Sequence, residues 1–81
     1  MEVEIYIKKG CPYCDRALSL LGLAGVNPTV YDVMVPQREP RAREIANRIH
    51  RDRLTVPQIF VDGQGIGGCS ELEAIMFGGA G

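Results

Sequence analysis

Two cysteines, Cys11 and Cys14, are the residues of this sequence whose type and spacing point most directly to chemistry. They fit three uses: a disulfide clasp, half of a metal site, or a pair of thiols that exchanges with disulfides. A clasp this small would constrain little of the unfolded chain. A zinc site needs four ligands, and the spare candidates Cys69 and His50 lack ligand spacing. We therefore predict no metal site and favour a redox-active pair, which is typical of Cys-x-x-Cys in a βαβ setting.

The elements around the pair predict that the two thiols differ. Residues 2–7 alternate between apolar and polar side chains, as in a strand, and apolar residues recur at helical spacing from Pro12 onward. Proline suits the first position of a helix because the N–H that it lacks would have no partner there. Cys11 is therefore expected at the helix N-terminus, where free N–H groups and the helix dipole favour an anion such as a thiolate. Lys8 and Lys9 add positive charge nearby.

Cys14 lies one turn further along the same helix face and begins its apolar stripe. Its thiol should therefore be more buried and less readily ionised. We predict that Cys11 is the nucleophile that attacks a disulfide. Cys14 would be the resolving cysteine, which attacks the resulting mixed disulfide and releases the product. This second thiol needs to be tethered rather than acidic.

The rest of the chain predicts an alternation of strands and helices. After the first helix come a strand, a helix, two strands and a closing helix, over residues 29–35, from about 42 to 50, 58–61, 64–67 and 70–77. Asp62-Gly63 is a turn signal between the last two strands, and Ser70 and Glu73 have the spacing of a capping box. The order β-α-β-α-β-β-α predicts an α/β fold, a small mixed four-stranded sheet with helices on both faces.

The bulk properties predict one domain over residues 1–81, since 81 residues with 46% hydrophobic content can bury a single core. A net charge of −1 gives no reason to expect a nucleic-acid or membrane partner. The N-terminus is too short and acidic for a signal peptide and no apolar run approaches membrane length, so we expect a cytoplasmic protein. We also expect a monomer. Glycines near the C-terminus predict a frayed tail over residues 77–81.

Three short motifs resemble those of one family, the dithiol glutaredoxins. CPYC at 11–14 is similar to the family's active-site sequence, TVPQIF at 55–60 to its TVP motif, and IGGC at 66–69 to its glycine pair. The resemblance covers nearly the whole chain, and a bacterial subgroup, glutaredoxin 3, is the nearest. It implies a thioredoxin-like fold, reduction of protein disulfides and glutathione mixed disulfides, and glutathione as electron donor with no bound cofactor. The implied partners are glutathione and proteins that carry disulfides or glutathionylated cysteines.

The resemblance also assigns residues to a glutathione groove. The family's TVP proline has a cis peptide bond and faces the active cysteines, and it corresponds here to Pro57. The N–H and C=O of Val56 would then pair with glutathione as a neighbouring strand does. Lys8 and Arg53 stand where the family supplies a cation for the glycine-end carboxylate, and Tyr13 would line the groove.

The same resemblance places the γ-glutamyl carboxylate at the backbone of Gly68, Cys69 and Ser70, near the start of the last helix. Ser70 departs from the acidic residue that is usual in the family at this position, and Glu71 is a candidate to compensate. Two interpretations of Cys69 stay open. It is either a small residue without a redox duty or a regulatory thiol that takes up glutathione or pairs between chains.

Two other functions stay open at this point. One is a redoxin that donates electrons to ribonucleotide reductase and is reduced by thioredoxin reductase, although the set of Lys8, Arg53 and Gly68 argues against it. The other is a dimer that holds an iron–sulfur cluster through Cys11 and glutathione. The proline and the second cysteine of CPYC disfavour that cluster.

Overall fold

A computed structural model of the protein describes residues 2–34, 40–51 and 55–78. Within these ranges the strands and helices follow one another in the predicted order, and a π-helical turn comes last. Their bounds are Val3–Ile7 (β1), Pro12–Leu23 (α1), Thr29–Asp32 (β2), Pro40–Arg51 (α2), Gln58–Val61 (β3), Gln64–Gly67 (β4), Cys69–Glu73 (α3) and Ala74–Gly78 (the π-helical turn).

The strands form one mixed sheet in the order β2-β1-β3-β4. β1 pairs parallel with β2 and antiparallel with β3, and β3 pairs antiparallel with β4. The parallel pair is joined by the helical crossover α1, as parallel strands require. The pair β3–β4 is joined at Asp62 and Gly63, which both have positive φ (50° and 82°), the conformation of a tight hairpin turn. The predicted α/β fold with a mixed four-stranded sheet is confirmed.

Helices cover both faces of the sheet, as the burial of adjacent residues in β1 shows. Ile5 and Tyr6 are both 0% exposed although neighbouring residues of a strand point to opposite faces. On the Tyr6 side, the core includes Ile45 of α2, and the Tyr6 ring stacks on Tyr31 with centroids 4.9 Å apart. On the Ile5 side, the core takes apolar side chains from α1 and α3, namely Ala17, Leu20, Leu21 and Leu72. The central strand that precedes the cysteine pair is therefore held from both sides.

The second strand is shorter than predicted. It ends at Asp32 instead of continuing to residue 35. The N–H of Val33 still donates to the carbonyl of Ile7 (2.9 Å), and the Asp32 carboxylate then accepts a hydrogen bond from the N–H of Met34 (2.8 Å), which forms a turn at the end of the strand. The sequence prediction is wrong here because a β-rich composition does not show that an aspartate side chain will compete for the backbone.

The capping box predicted for the last helix is also wrong. Helix α3 begins at Cys69, and the Glu71 carboxylate accepts a hydrogen bond from the N–H of Gly68 (3.0 Å). Glu73 faces helix α1 and pairs with Arg16, with 2.8 Å between Nε and Oε1. Cross-helix pairing at Glu73 thus replaces the local cap that the spacing of Ser70 and Glu73 predicted.

The remaining boundaries complete the described chain. Helix α2 starts at Pro40, two residues before the apolar stripe that predicted it, and runs to Arg51. The expected frayed tail over residues 77–81 stays a prediction, because residues 79–81 lie outside the described ranges. Its first two residues, 77 and 78, form the end of the π-helical turn. In the part of the chain that the structure describes, no helix has both the length and the apolar character needed to cross a membrane.

Candidate functional site

The site is built around the N-terminus of α1, where Cys11 is the N-cap residue. Its backbone is extended (φ −100°, ψ 108°), and Pro12 takes the first helical position, as predicted. The Cys11 sulfur accepts a hydrogen bond from the N–H of Cys14 (3.3 Å), one of the groups that the start of a helix leaves unpaired. The first turn of α1 therefore directs backbone N–H toward this sulfur, an arrangement suited to an anionic nucleophile.

Cys14 is the more buried of the two thiols, as the apolar stripe predicted. It is 1% exposed, whereas Cys11 is half-buried. Burial, followed by a hydrogen bond with Cys11, raises the pKa of the Cys14 thiol from 9.0 to about 12. A backbone group of Lys8 that hydrogen-bonds Cys14 acts in the opposite direction without cancelling the effect of burial. Cys14 therefore stays protonated at neutral pH, next to a sulfur that accepts a backbone N–H hydrogen bond.

The loop before β3 faces this pair. The Cys11 thiol donates to the carbonyl of Val56 (3.7 Å), across 45 positions of sequence. The Val56–Pro57 peptide bond is cis, as the resemblance implied, and Pro57 is buried. Gly68 packs directly against this loop, because a Cβ added there would lie 3.1 Å from the Pro57 carbonyl oxygen. Close approach of two backbones is what requires glycine at that position.

A groove of about 390 Å³ opens beside Cys11. It is lined by residues from α1, the loop before β3 and the start of α3, namely Tyr13, Thr55, Val56, Pro57, Gly68, Cys69, Ser70 and Glu71. The structure thus brings together six of the residues that the resemblance assigned to glutathione. Thr55 is a groove residue that the sequence reasoning missed, although its place directly before the TVP valine and proline was a usable signal.

Of the two predicted cations, only Lys8 belongs to the described residues, and it does not line the groove. Lys8 is exposed and touches the site through its backbone contact with Cys14. Arg53 lies outside the described residues, so its predicted role stays a prediction.

At the opposite wall, Glu71 holds the N–H of Gly68. The Gly68 N–H therefore already has a partner within the protein. Of the three backbone groups predicted to bind the γ-glutamyl carboxylate, those of Cys69 and Ser70 remain as candidates.

The third cysteine, Cys69, is buried and its thiol is hydrogen-bonded. The Cys69 thiol donates to Glu73 (3.4 Å to Oε1), whose carboxylate also pairs with Arg16. Burial, followed by this contact with Glu73, raises the pKa of Cys69. All three cysteines are free thiols. Among the described residues, no three histidine, cysteine or acidic side chains come together as a metal site would require.

A larger cavity of about 500 Å³ lies at the far end of α1 and is mainly apolar. Its lining includes Leu21, Val61, Ile66 and Met76, with no cysteine among the lining residues. The smaller groove is lined by Val56, whose carbonyl contacts the Cys11 thiol (3.7 Å). The chemistry of this protein is therefore expected in the groove beside Cys11.

Comparisons with known proteins agree with this geometry. A sequence model of the family described as Glutaredoxin matches residues 3–66. Glutaredoxin 3 of Escherichia coli is 44% identical over 73 residues, which cover 90% of this chain and 83% of that protein. A dithiolic glutaredoxin of Trypanosoma brucei brucei superposes with a TM-score of 0.73 at 35% identity, covering 96% of this chain and 79% of that one. A buckwheat glutaredoxin–glutathione complex superposes with a TM-score of 0.67 at 26% identity, covering 94% and 69%.

Proposed function

Because this chain belongs to the glutaredoxin family and is a thiol–disulfide oxidoreductase, we propose that glutathione is its electron donor. In this proposal its substrates are glutathione mixed disulfides and protein disulfides. The observation that carries the proposal is the position of the Cys11 sulfur. It accepts a hydrogen bond from the Cys14 N–H at a helix start and contacts the carbonyl of Val56, which lines the groove of about 390 Å³.

On a glutathione mixed disulfide, Cys11 acts alone. Its thiolate attacks the glutathione sulfur, the substrate sulfur leaves as a thiolate and takes up a proton, and Cys11 becomes glutathionylated. The thiolate of a second glutathione then attacks that sulfur and releases oxidised glutathione, which restores Cys11. In the whole cycle the substrate sulfur is reduced to a thiol and the sulfur of the added glutathione is oxidised, while the glutathione sulfur of the mixed disulfide passes into oxidised glutathione at the disulfide level.

On a protein disulfide, Cys14 takes part. Attack by Cys11 leaves a mixed disulfide between Cys11 and the substrate. The Cys14 thiol then passes its proton toward the departing substrate sulfur and attacks Cys11, forming an internal disulfide that two glutathione molecules reduce. The raised pKa of Cys14, about 12, keeps this thiol inactive until the adjacent mixed disulfide gives it a target.

The groove supports glutathione as the partner because it offers backbone groups and an aromatic wall. Val56 presents its backbone as an edge strand does, which suits an extended tripeptide. Tyr13 forms one side, and the backbone of Cys69 and Ser70 provides donors for a carboxylate at the other end. The buckwheat structure, a glutathione complex with the same fold, is in line with this assignment. Lys8 would supply a cation from outside the lining.

The test is a coupled assay with glutathione, glutathione reductase and NADPH, using a small glutathione mixed disulfide and, separately, a protein disulfide. We expect Cys11→Ser to abolish both activities. We expect Cys14→Ser to keep the first and lose most of the second, because only the protein disulfide needs a resolving thiol. Turnover with thioredoxin reductase and none with glutathione would reject the proposal.

A further inference from the structure

Gln58 forms a hydrogen bond that spans the loop beside Cys11. Its side-chain Nε2 donates to the backbone carbonyl of Thr55, with 2.6 Å between the two atoms. Gln58 is also the first residue of β3, where it pairs with Tyr6 of β1. Because Tyr6 is fully buried in the central strand, the Gln58 side chain reaches the loop from a fixed position.

The Thr55 carbonyl and the Val56 N–H belong to the same peptide unit. That unit is planar, and the Thr55–Val56 bond is trans, so the two groups point in opposite directions. A rotation of the peptide plane that moved the carbonyl away from Gln58 would swing the N–H by the same angle. The hydrogen bond from Gln58 to Thr55 therefore sets the direction of the Val56 N–H.

The backbone of Val56 lies beside both Cys11 and the groove. Its carbonyl already contacts the Cys11 thiol (3.7 Å). Among the described residues, no acceptor takes its N–H. Val56 itself lines the groove. A donor with a set direction and no partner in the described part of the chain is available to a substrate.

We propose that Gln58 is a positioning residue that aims the Val56 N–H at the backbone of a peptide-like substrate. The acceptor is a carbonyl next to the substrate cysteine whose sulfur Cys11 attacks. The inference rests on the proposed function for the identity of that substrate as glutathione. It adds that selectivity for peptide disulfides over small disulfides without a backbone depends on a side chain outside the groove lining.

The test compares two disulfides in single-turnover reactions of the fully reduced protein, followed by acid quench and mass spectrometry. One is a glutathione mixed disulfide, which carries a peptide backbone, and the other is bis(2-hydroxyethyl) disulfide, which carries none. Gln58→Met removes the donor and keeps the length of the side chain, whereas Gln58→Lys keeps a donor. Gln64→Met makes the same change at an exposed glutamine of β4 that does not line the groove.

We expect Gln58→Met to slow the reaction with the glutathione mixed disulfide about three- to tenfold at subsaturating substrate, the scale of one neutral hydrogen bond. The rate with the hydroxyethyl disulfide should stay within about twofold, since that substrate makes no backbone hydrogen bond. Gln58→Lys should recover most of the selectivity, and Gln64→Met should behave as wild type.

Equal slowing of both reactions by Gln58→Met would show that Gln58 only supports the fold, and unchanged rates would show that its hydrogen bond positions nothing. Either result overturns the inference and leaves the glutathione proposal standing. A wild-type protein that shows no preference for the glutathione disulfide would instead overturn the proposed function, and the inference with it. Urea unfolding of each variant establishes that the compared proteins are folded.

Discussion

The burial of Cys14 predicts how slowly its thiol reacts with an alkylating reagent in the native protein. Only the thiolate reacts, so the rate follows the ionised fraction. At pH 7, a thiol with the ordinary pKa of 9.0 is ionised in about one molecule in a hundred, and one with a pKa of about 12 in about one in a hundred thousand. The thiolate population is thus roughly a thousandfold smaller.

A thiolate of higher pKa is intrinsically more nucleophilic, which offsets part of this difference. With a Brønsted coefficient of about 0.4–0.5, a pKa higher by three units raises the rate constant of the thiolate itself roughly fifteen- to thirtyfold. The net expectation is that Cys14 reacts at least about thirtyfold more slowly than an exposed cysteine. Its 1% exposure hinders the reagent further.

The assay uses iodoacetamide on reduced Cys11→Ser protein, so that Cys14 is the only thiol in the tryptic peptide of residues 10–16. Removing Cys11 takes away its hydrogen bond with Cys14, while burial, the larger cause of the raised pKa, remains. The same protein in concentrated urea supplies the rate of the exposed thiol, and Cys14→Ser supplies the rate of Cys11. Native and urea rates for Cys14 that agree within about threefold would refute the reasoning from burial.

Three further predictions concern stability. Between pH 8 and pH 10, the free energy of unfolding of the reduced protein should fall by about 1.4 kcal/mol relative to that of Cys14→Ser. The reason is that the Cys14 thiol ionises above pH 9.0 in the unfolded chain, whereas in the native protein its pKa is about 12. Urea unfolding that gives the same pH dependence for both proteins would contradict this. Gly67→Ala should lower the free energy of unfolding by roughly 2–3 kcal/mol, since Gly67 has φ +109° and an added Cβ would overlap the Glu71 side chain. Gly63→Ala, with φ +82° and open space, should cost only about 1 kcal/mol, and equal losses would count against the overlap. Arg16→Ala should lower the free energy of unfolding by less than about 1 kcal/mol, because the Arg16 side chain of its ion pair with Glu73 is 60% exposed. A loss above about 2 kcal/mol would show that the pair does more than an exposed contact.

Local patterns in the sequence determined the order of elements and the difference between the two active cysteines. Alternation in residues 2–7, helical spacing from Pro12 and the Asp62-Gly63 turn each depend on neighbours within a few positions. The place of Cys11 at a helix start and of Cys14 on the buried stripe follow from the same local rules. The family resemblance added the groove, of which six assigned residues lie together in the structure.

Tertiary structure decided the contacts between residues distant in sequence and the choice among competing hydrogen bonds. Glu73 had the spacing to cap its own helix but pairs with Arg16 across the α1–α3 interface, while Glu71 takes the local cap. Tyr6 alternates with apolar residues and so falls on the polar face of its strand, yet it is fully buried because the α2 side covers it. The bond from Gln58 to Thr55 likewise depends on a side-chain rotamer. Periodicity tells which face a residue occupies, but only the folded chain shows which partner is near enough to compete for it.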